Sequence, residues 1–254
     1  AIKSLTAAVE ALKSSEIDVL VTAPINKSNI QSENFTFPGH TDYLAQELEG
    51  DGLMLLISEA LKVGLLTDHV AVKDVSKSIT RELIDKKITT IHNTMVQDFG
   101  IEKPKIAVLG INPHNGDNGV IGDEDDTVLR PALDNIRNNG KTIFGPYAAD
   151  SFFGSGNYTN FDVVIAAYHD QGLIPFKTLA FGSGVNFTAG LNKVRTSPDH
   201  GTAYDIAGKN IANFESFREA VYSAISVYKT RKEYEEMSVN PLKLSRKKAF
   251  VKKK

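Results

Sequence analysis

Val163-Val164-Ile165-Ala166-Ala167-Tyr168-His169-Asp170-Gln171-Gly172 is an unbroken apolar run that stops abruptly in polar residues and a glycine. A run apolar at every position, rather than at alternate ones, is the pattern of a strand buried on both faces of a parallel sheet. Two other stretches stop in the same way: Leu65-Leu66-Thr67-Asp68-His69 and Ile111-Asn112-Pro113-His114-Asn115-Gly116. Open α/β sheets bind ligands at the carboxyl edge of such strands, and neutral imidazole is the commonest metal ligand. One histidine at a strand end is ordinarily a hydrogen-bonded, half-buried side chain. Three in the same setting point to one divalent-metal site built from His69, His114 and His169.

The rest of the chain agrees with an α/β protein. Further strands are expected at Ile17–Pro24, Leu53–Ile57, Val63–Thr67, Lys105–Ile111, Thr142–Phe144 and Val185–Ala189. Between them, helical periodicity marks Ser4–Ser14, a long helix over Val75–Phe99, Thr127–Asn138 and a closing helix over Phe214–Glu236. Neither an internal repeat nor a long linker is visible. Residues 1–240 therefore read as one region, in which any two-lobe structure must share strands rather than hang on a hinge. Gly, Asp, Asn and Ser gather in three stretches, Asn112–Asp123, Gly145–Asn160 and Arg195–Gly208, where a rigid scaffold carries its function.

Composition excludes several classes. The 254 residues contain no cysteine, which rules out disulfides, thiolate-metal sites and cysteine nucleophiles and leaves His and carboxylate as ligand types. No apolar run reaches the roughly 20 residues of a membrane helix, and the start of the chain lacks a signal-peptide pattern. The expected compartment is the cytoplasm, without membrane attachment. A net charge of −2 gives no general reason to bind nucleic acid. The basic run Lys243–Lys254 lacks interleaved aromatics, so residues 241–254 read as a solvated, disordered tail.

Several polar groups follow apolar runs and suit a small anionic substrate. Gly39-His40-Thr41 offers a tight turn, an imidazole and a hydroxyl at a helix start, where Thr41 could equally be a plain N-cap for Tyr43–Leu48. Lys177, Asn186 and Arg195 come at regular intervals after His169. A guanidinium grips a phosphate or carboxylate through two parallel hydrogen bonds, and a lysine serves as a point charge or, once desolvated, as a proton-transfer group. Taken singly, each is also an ordinary surface charge.

Asp199-His200-Gly201-Thr202-Ala203-Tyr204-Asp205-Ile206-Ala207-Gly208-Lys209 is the most specific segment. It resembles the adenine-binding loop of the isocitrate and isopropylmalate dehydrogenase superfamily, which uses no G-x-G-x-x-G turn. Together with Asn112–Gly116, Tyr168–Gly172, Gly39–Thr41 and Arg195–Ala203, in order and at compatible spacings from about Asp18 to Ala212, it resembles the 4-hydroxythreonine-4-phosphate dehydrogenase family of vitamin B6 synthesis. The resemblance implies two intertwined lobes sharing a mixed, largely parallel sheet with helices on both faces. It implies that His69, His114 and His169 bind a divalent metal (zinc, cobalt, nickel, manganese or magnesium), that His40, Thr41, Lys177, Asn186 and Arg195 contact substrate, and that Asp150 is an active-site carboxylate. His200 and Gly201 would hold NAD or NADP, and Asp205, suited to ribose hydroxyls, leans toward NAD. Lys177 and Asp150 are both candidates for proton transfer.

The same resemblance implies a homodimer with its site at the subunit interface and metal ligands from both chains. The expected reaction is oxidation and decarboxylation of a small phosphorylated hydroxy acid, 4-phosphohydroxy-L-threonine. Paralogues acting on threonate or erythronate 4-phosphate would use the same motifs, and a catalytically silent metal- or nucleotide-binding protein is the rival from another class. Family members have an opening strand and a Gly-Asp-Pro loop ahead of Ile17–Pro24, so part of one lobe is expected to be missing before Ala1.

Overall fold

The computed structural model describes residues 1–26, 29–31, 35–37 and 39–242. Pro38 of the histidine-threonine turn and the basic run Lys243–Lys254 lie outside the described residues.

Eight strands form one continuous sheet: β1 (Val19–Val21), β2 (Gly50–Ile57), β3 (Lys62–Leu65), β4 (Ile106–Leu109), β5 (Ile143–Tyr147), β6 (Val163–Ala166), β7 (Val185–Leu191) and β8 (Val194–Pro198). Their spatial order is β1-β8-β7-β2-β3-β6-β4-β5. The pairs β3-β6, β6-β4 and β4-β5 are parallel, as is β1-β8, whereas β8-β7, β7-β2 and β2-β3 are antiparallel. The sheet is mixed and mostly parallel. Because β3, β6 and β4 are parallel neighbours, the three chain segments that carry His69, His169 and His114 leave the sheet side by side at one edge.

The helices are α1 (Ile2–Lys13), α2 (His40–Glu47), α3 (Val75–Ser78), α4 (Arg81–Gln97), α5 (Arg130–Asn138), α6 (Ala149–Gly154), α7 (His169–Leu179) and α8 (Glu215–Ser238). One face of the sheet is covered by α4, α5 and α8, whose Ile84, Ile88, Ile91, Met95, Leu133, Ile136, Ala220 and Ala224 pack on Leu53, Leu55, Val108, Ile165 and Phe187. On the other face Phe152 of α6 and Leu173 and Phe176 of α7 meet Leu65, Leu109, Val164 and Ala166. Each such side chain contributes roughly 1.5–3 kcal/mol by leaving water. A third cluster, made by Leu5, Val9 and Leu12 of α1 with Leu44 of α2, Phe35 and Leu191, holds α2 over the β2 side of the sheet.

The long helix expected over Val75–Phe99 is two helices. Ile79 is extended, and Thr80 restarts the chain as an N-cap whose Oγ1 accepts from the Leu83 N–H at 3.2 Å. Strand β8 falls in what reads as the loop Arg195–Gly208; it pairs with β7 across Asn192-Lys193. Helix α7, interrupted in sequence by Gly172 and Pro175, is likewise absent from the sequence reading. Thr41 is not an N-cap: α2 begins at His40, with Gly39 as the capping position.

Arg231 of α8 is 13% exposed and donates from Nε to Asp98 Oδ1 at 2.6 Å and from Nη1 to the Leu191 carbonyl at 3.1 Å. Burial pushes the Asp98 carboxyl above its ordinary range, and Arg231 pulls it back. Arg231→Met leaves that carboxylate buried and unpaired, a change expected to cost about 3–5 kcal/mol. Protonation relieves an orphaned carboxylate whose folded pKa is raised. Urea melts should therefore show the largest loss near pH 7.5 and a smaller one near pH 5.

Candidate active site

Arg195 lies on the second position of β8, opposite Thr188 of β7, and is 3% exposed. Its Nε and Nη2 donate to Thr22 Oγ1 at 3.1 and 2.6 Å, and Nη1 donates to Thr188 Oγ1 at 3.0 Å. Among the described residues its hydrogen-bond partners are thus hydroxyls, not carboxylates. Burial alone pushes this guanidinium down from its ordinary range to about 10. A buried cation held, among the described residues, by neutral groups alone is poised for an anion.

That anion has a place to bind. A cavity of about 260 Å³ opens where α2, the chain after β3 and the β7–β8 hairpin meet, and Arg195 shares its lining with His40, Thr41, His69, Asn186 and His200. The Oδ1 of Asn186 is buried without a hydrogen-bond partner, leaving an acceptor for a donor the protein does not supply. Gly39 is extended and occupies the capping position of α2, whose first-turn residues His40, Thr41 and Asp42 line the same cavity.

At the edge of the same cavity the rings of His69 and His169 stand 5.9 Å apart, centroid to centroid. Two imidazoles bound to one cation at about 2.1 Å take up a similar span. His169 Nδ1 lies 2.7 Å from Asp170 Oδ1, which as acceptor fixes the proton on Nδ1 and leaves Nε2 as the ligating nitrogen. Beside them Asp68, a cavity-lining residue, has a buried Oδ1 with no hydrogen bond and only Lys87, at 3.7 Å, as an ion-pair partner. This donor set fits a divalent cation. His114 leaves the neighbouring strand β4, but among the described residues no group of three His, Cys, Asp or Glu side chains closes around a metal position.

The turn bearing His114 is unusual. His114, Asn115, Gly116, Asp117, Asn118 and Gly119 all have positive φ, so six successive residues are left-handed. For an L-residue this costs roughly 1–2 kcal/mol, less for Asn and Asp. The flanking chain holds them: Gln171, from α7, accepts the Ala167 N–H at 2.6 Å and donates to the Gly110 carbonyl at 2.8 Å, joining the ends of β6 and β4.

A second cleft, about 1210 Å³ and more apolar, adjoins the first through Pro24, His200 and Gly201. Lys177, Asp199, Phe181, Tyr204 and Ile206 line it. Asp205 is flanked by these residues in the turn Tyr204–Ile206 but is not itself part of the lining. Lys177 Nζ is 3.2 Å from Asp199 Oδ1. Burial raises the Asp199 carboxyl, and Lys177 opposes that rise. Asp150 stands elsewhere, in an apolar groove with Phe153, Tyr168, Ile174 and Leu179. Within one chain the fold therefore brings together His40, Thr41, His69, Asn186, Arg195, His200 and Gly201, places Lys177 next door, and keeps Asp150 apart.

Sequence reasoning missed Thr22, Thr188, Asp68, Asp199 and Gln171. Gln171, Asp68 and Asp199 each sat inside a quoted motif without being singled out, whereas Thr22 and Thr188 carried no signal.

A family model described as pyridoxal phosphate biosynthetic protein PdxA matches residues 1–224. A protein of Bacteroides thetaiotaomicron named 4-hydroxythreonine-4-phosphate dehydrogenase is 52% identical over 246 residues, which cover 96% of this chain and 67% of that protein. The crystal structure of a 4-hydroxythreonine-4-phosphate dehydrogenase from Klebsiella pneumoniae superposes with a TM-score of 0.78 at 35% identity, covering 89% of this chain and 69% of that one. Isocitrate dehydrogenase from Methylococcus capsulatus shares the fold, with a TM-score of 0.55 at 15% identity over 91% of this chain and 74% of its own. The chain spans about two thirds of the length of the relatives it matches. It belongs to the PdxA family of pyridoxal phosphate biosynthetic proteins.

Proposed function

We propose that this chain carries the site of a metal-dependent, NAD(P)-linked dehydrogenase that oxidises and decarboxylates 4-phosphohydroxy-L-threonine to 3-amino-2-oxopropyl phosphate, a step of vitamin B6 synthesis. The observation that carries the proposal is Arg195, a buried guanidinium that the described residues hold through hydroxyls alone, on a cavity shared with His40, Thr41 and His69. A phosphorylated hydroxy acid brings two anionic ends. Arg195 at the floor and the first turn of α2 at the rim are two donor-rich anchors for them. Asn186 Oδ1 accepts from a hydroxyl or amino group of the bound molecule.

The divalent cation supplies Lewis acidity at the oxygen being oxidised, and the nicotinamide supplies the two-electron acceptor. His69 and His169 hold the cation, with His169 kept in one tautomer by Asp170. His200 and Gly201 face the adjoining cleft, whose size and mixture of backbone and apolar groups suit the adenine half of the dinucleotide. Proton transfer falls to Lys177 or Asp150. Since Asp150 occupies a separate open groove in which Ile174 is 65% exposed, we assign it to the site of a second copy, in a homodimer whose metal ligands, His114 included, are shared.

The test is NADH formation with 4-phosphohydroxythreonine and threonate 4-phosphate side by side, with added divalent metal and after chelation. Metal-dependent turnover of the amino acid is the expected result. Preference for threonate phosphate, or turnover indifferent to chelation, overturns the assignment.

A further inference from the structure

We propose that Asp125 is a positioning residue: its buried carboxylate fixes the left-handed turn that presents His114. The proposal rests on the reading of His114 as a metal ligand and adds a residue to which neither the family resemblance nor the cavity lining assigns a role. Asp125 has no exposed surface. Its Oδ1 accepts the Ile111 N–H at 2.8 Å, and its Oδ2 accepts the Asn112 N–H at 2.9 Å and the Asn112 side-chain amide at 3.2 Å. All three donors come from the two residues that lead from β4 into the turn.

The turn itself closes with short-range bonds, Asp117 N–H to the His114 carbonyl at 3.2 Å and Gly119 N–H to the Gly116 carbonyl at 3.0 Å. Such a left-handed turn is disfavoured for L-residues and persists only where surrounding structure over-determines it. Asp125 supplies that constraint from one side. From the other, Asn115 Nδ2 donates to the Pro146 carbonyl of β5 at 3.2 Å. Asn112 Nδ2 is shared with Glu124 Oε2 at 2.8 Å, and this bond is the main reason the Glu124 carboxyl sits below its ordinary range. Gly110 completes the joint, since a Cβ there would collide with Asn115 Oδ1 and crowd Asp125 Oδ1.

His114 is exposed. An exposed imidazole is placed by its backbone rather than by packing, so whatever fixes residues 111–119 fixes the ligand. A carboxylate buried on three N–H donors is an expensive way to close a surface loop. It is a reasonable way to hold a ligand to the tolerance a shared metal site needs.

The experiment is a cobalt(II) titration of the 254-residue chain, followed by the visible absorption of the bound ion, on wild type, Asp125→Asn, Asn112→Ala and His114→Ala, with a thermal melt of each. Asp125→Asn should weaken cobalt binding 10- to 100-fold, the size seen for groups that orient metal ligands. Asn112→Ala, which keeps both backbone bonds to Asp125, should weaken it about threefold to tenfold with little change in melting temperature, and it carries the test if Asp125→Asn does not fold. Cobalt affinity within twofold of wild type in Asn112→Ala and in any folded Asp125→Asn, with only a lower melting temperature, makes Asp125 a purely structural residue and overturns the proposal while His114→Ala still loses the metal. If His114→Ala binds cobalt like wild type, the metal reading of His114 fails first and takes the proposal with it.

Discussion

Arg195→Met should abolish turnover and leave the protein as stable as wild type or more so. Bringing the guanidinium down from its ordinary range to about 10 corresponds to roughly 3 kcal/mol of unfavourable burial, carried by the folded protein whenever the anion is absent. Methionine removes that term and fills a similar volume. Against it stand Thr22 and Thr188, whose hydroxyls lose their donors at about 1 kcal/mol each. The balance is small and leans toward the variant. Since the guanidinium is charged in both folded and unfolded protein below about pH 10, the comparison should not vary between pH 6 and 9. Catalysis has no such compensation: losing a desolvated, bidentate anchor for an anion should lower kcat/KM by about a thousandfold or more, some 4 kcal/mol. Arg195→Lys keeps the charge but loses the fork and should recover only part of it. Calorimetry with and without phosphate supplies the second readout, because the anion should raise the melting temperature of wild type and not of Arg195→Met. A variant that melts several degrees lower and still turns over substrate would show that Arg195 serves the fold and not the substrate.

The features that made this site legible in sequence are those that buried parallel strands impose. β4 and β6 are apolar throughout, and β3 is so after Lys62, because both faces are covered, so their ends, and the histidines just beyond them, stand out. β8 was hidden for the opposite reason. Its Arg195, Thr196 and Ser197 are all buried yet polar, and a polar run bounded by a proline reads as loop until a cavity and the hydroxyls of Thr22 and Thr188 are known to receive it. α7 was hidden by Gly172, whose missing Cβ lets the helix approach Val63, Leu65 and Ala166, and by Pro175 inside it. Site residues could be named from motifs, but their supports could not. Thr22 lies 173 positions from Arg195, and Asp125 reaches Asn112 from 13 residues away through a turn whose handedness periodicity does not report. Only the concentration of Asn, Asp and Gly in Asn112–Asp123 hinted at that handedness, since these residues tolerate positive φ.

His69→Ala and His169→Ala should each reduce metal-dependent turnover about a thousandfold while leaving the fold intact. His69 is exposed and His169 half-buried, so truncation opens no buried cavity and should cost within about 1 kcal/mol. In the proposed reaction a cation is held between neighbouring strand ends, and one imidazole would not hold it there. Asp170→Asn tests the same arrangement more gently: it keeps the shape beside His169 Nδ1 but removes the charged acceptor, and should weaken metal binding 10- to 100-fold with both rings in place. Chelation gives the independent comparison. Stripped wild type should behave like His69→Ala, recover on addition of divalent metal, and gain about 2.7 kcal/mol of stability at a free metal concentration of one hundred times Kd. Neither histidine variant should show that gain at the same concentration. Wild-type activity in His69→Ala after chelation would remove the metal from the mechanism and leave Arg195 and the α2 turn as anchors for a substrate oxidised by other means.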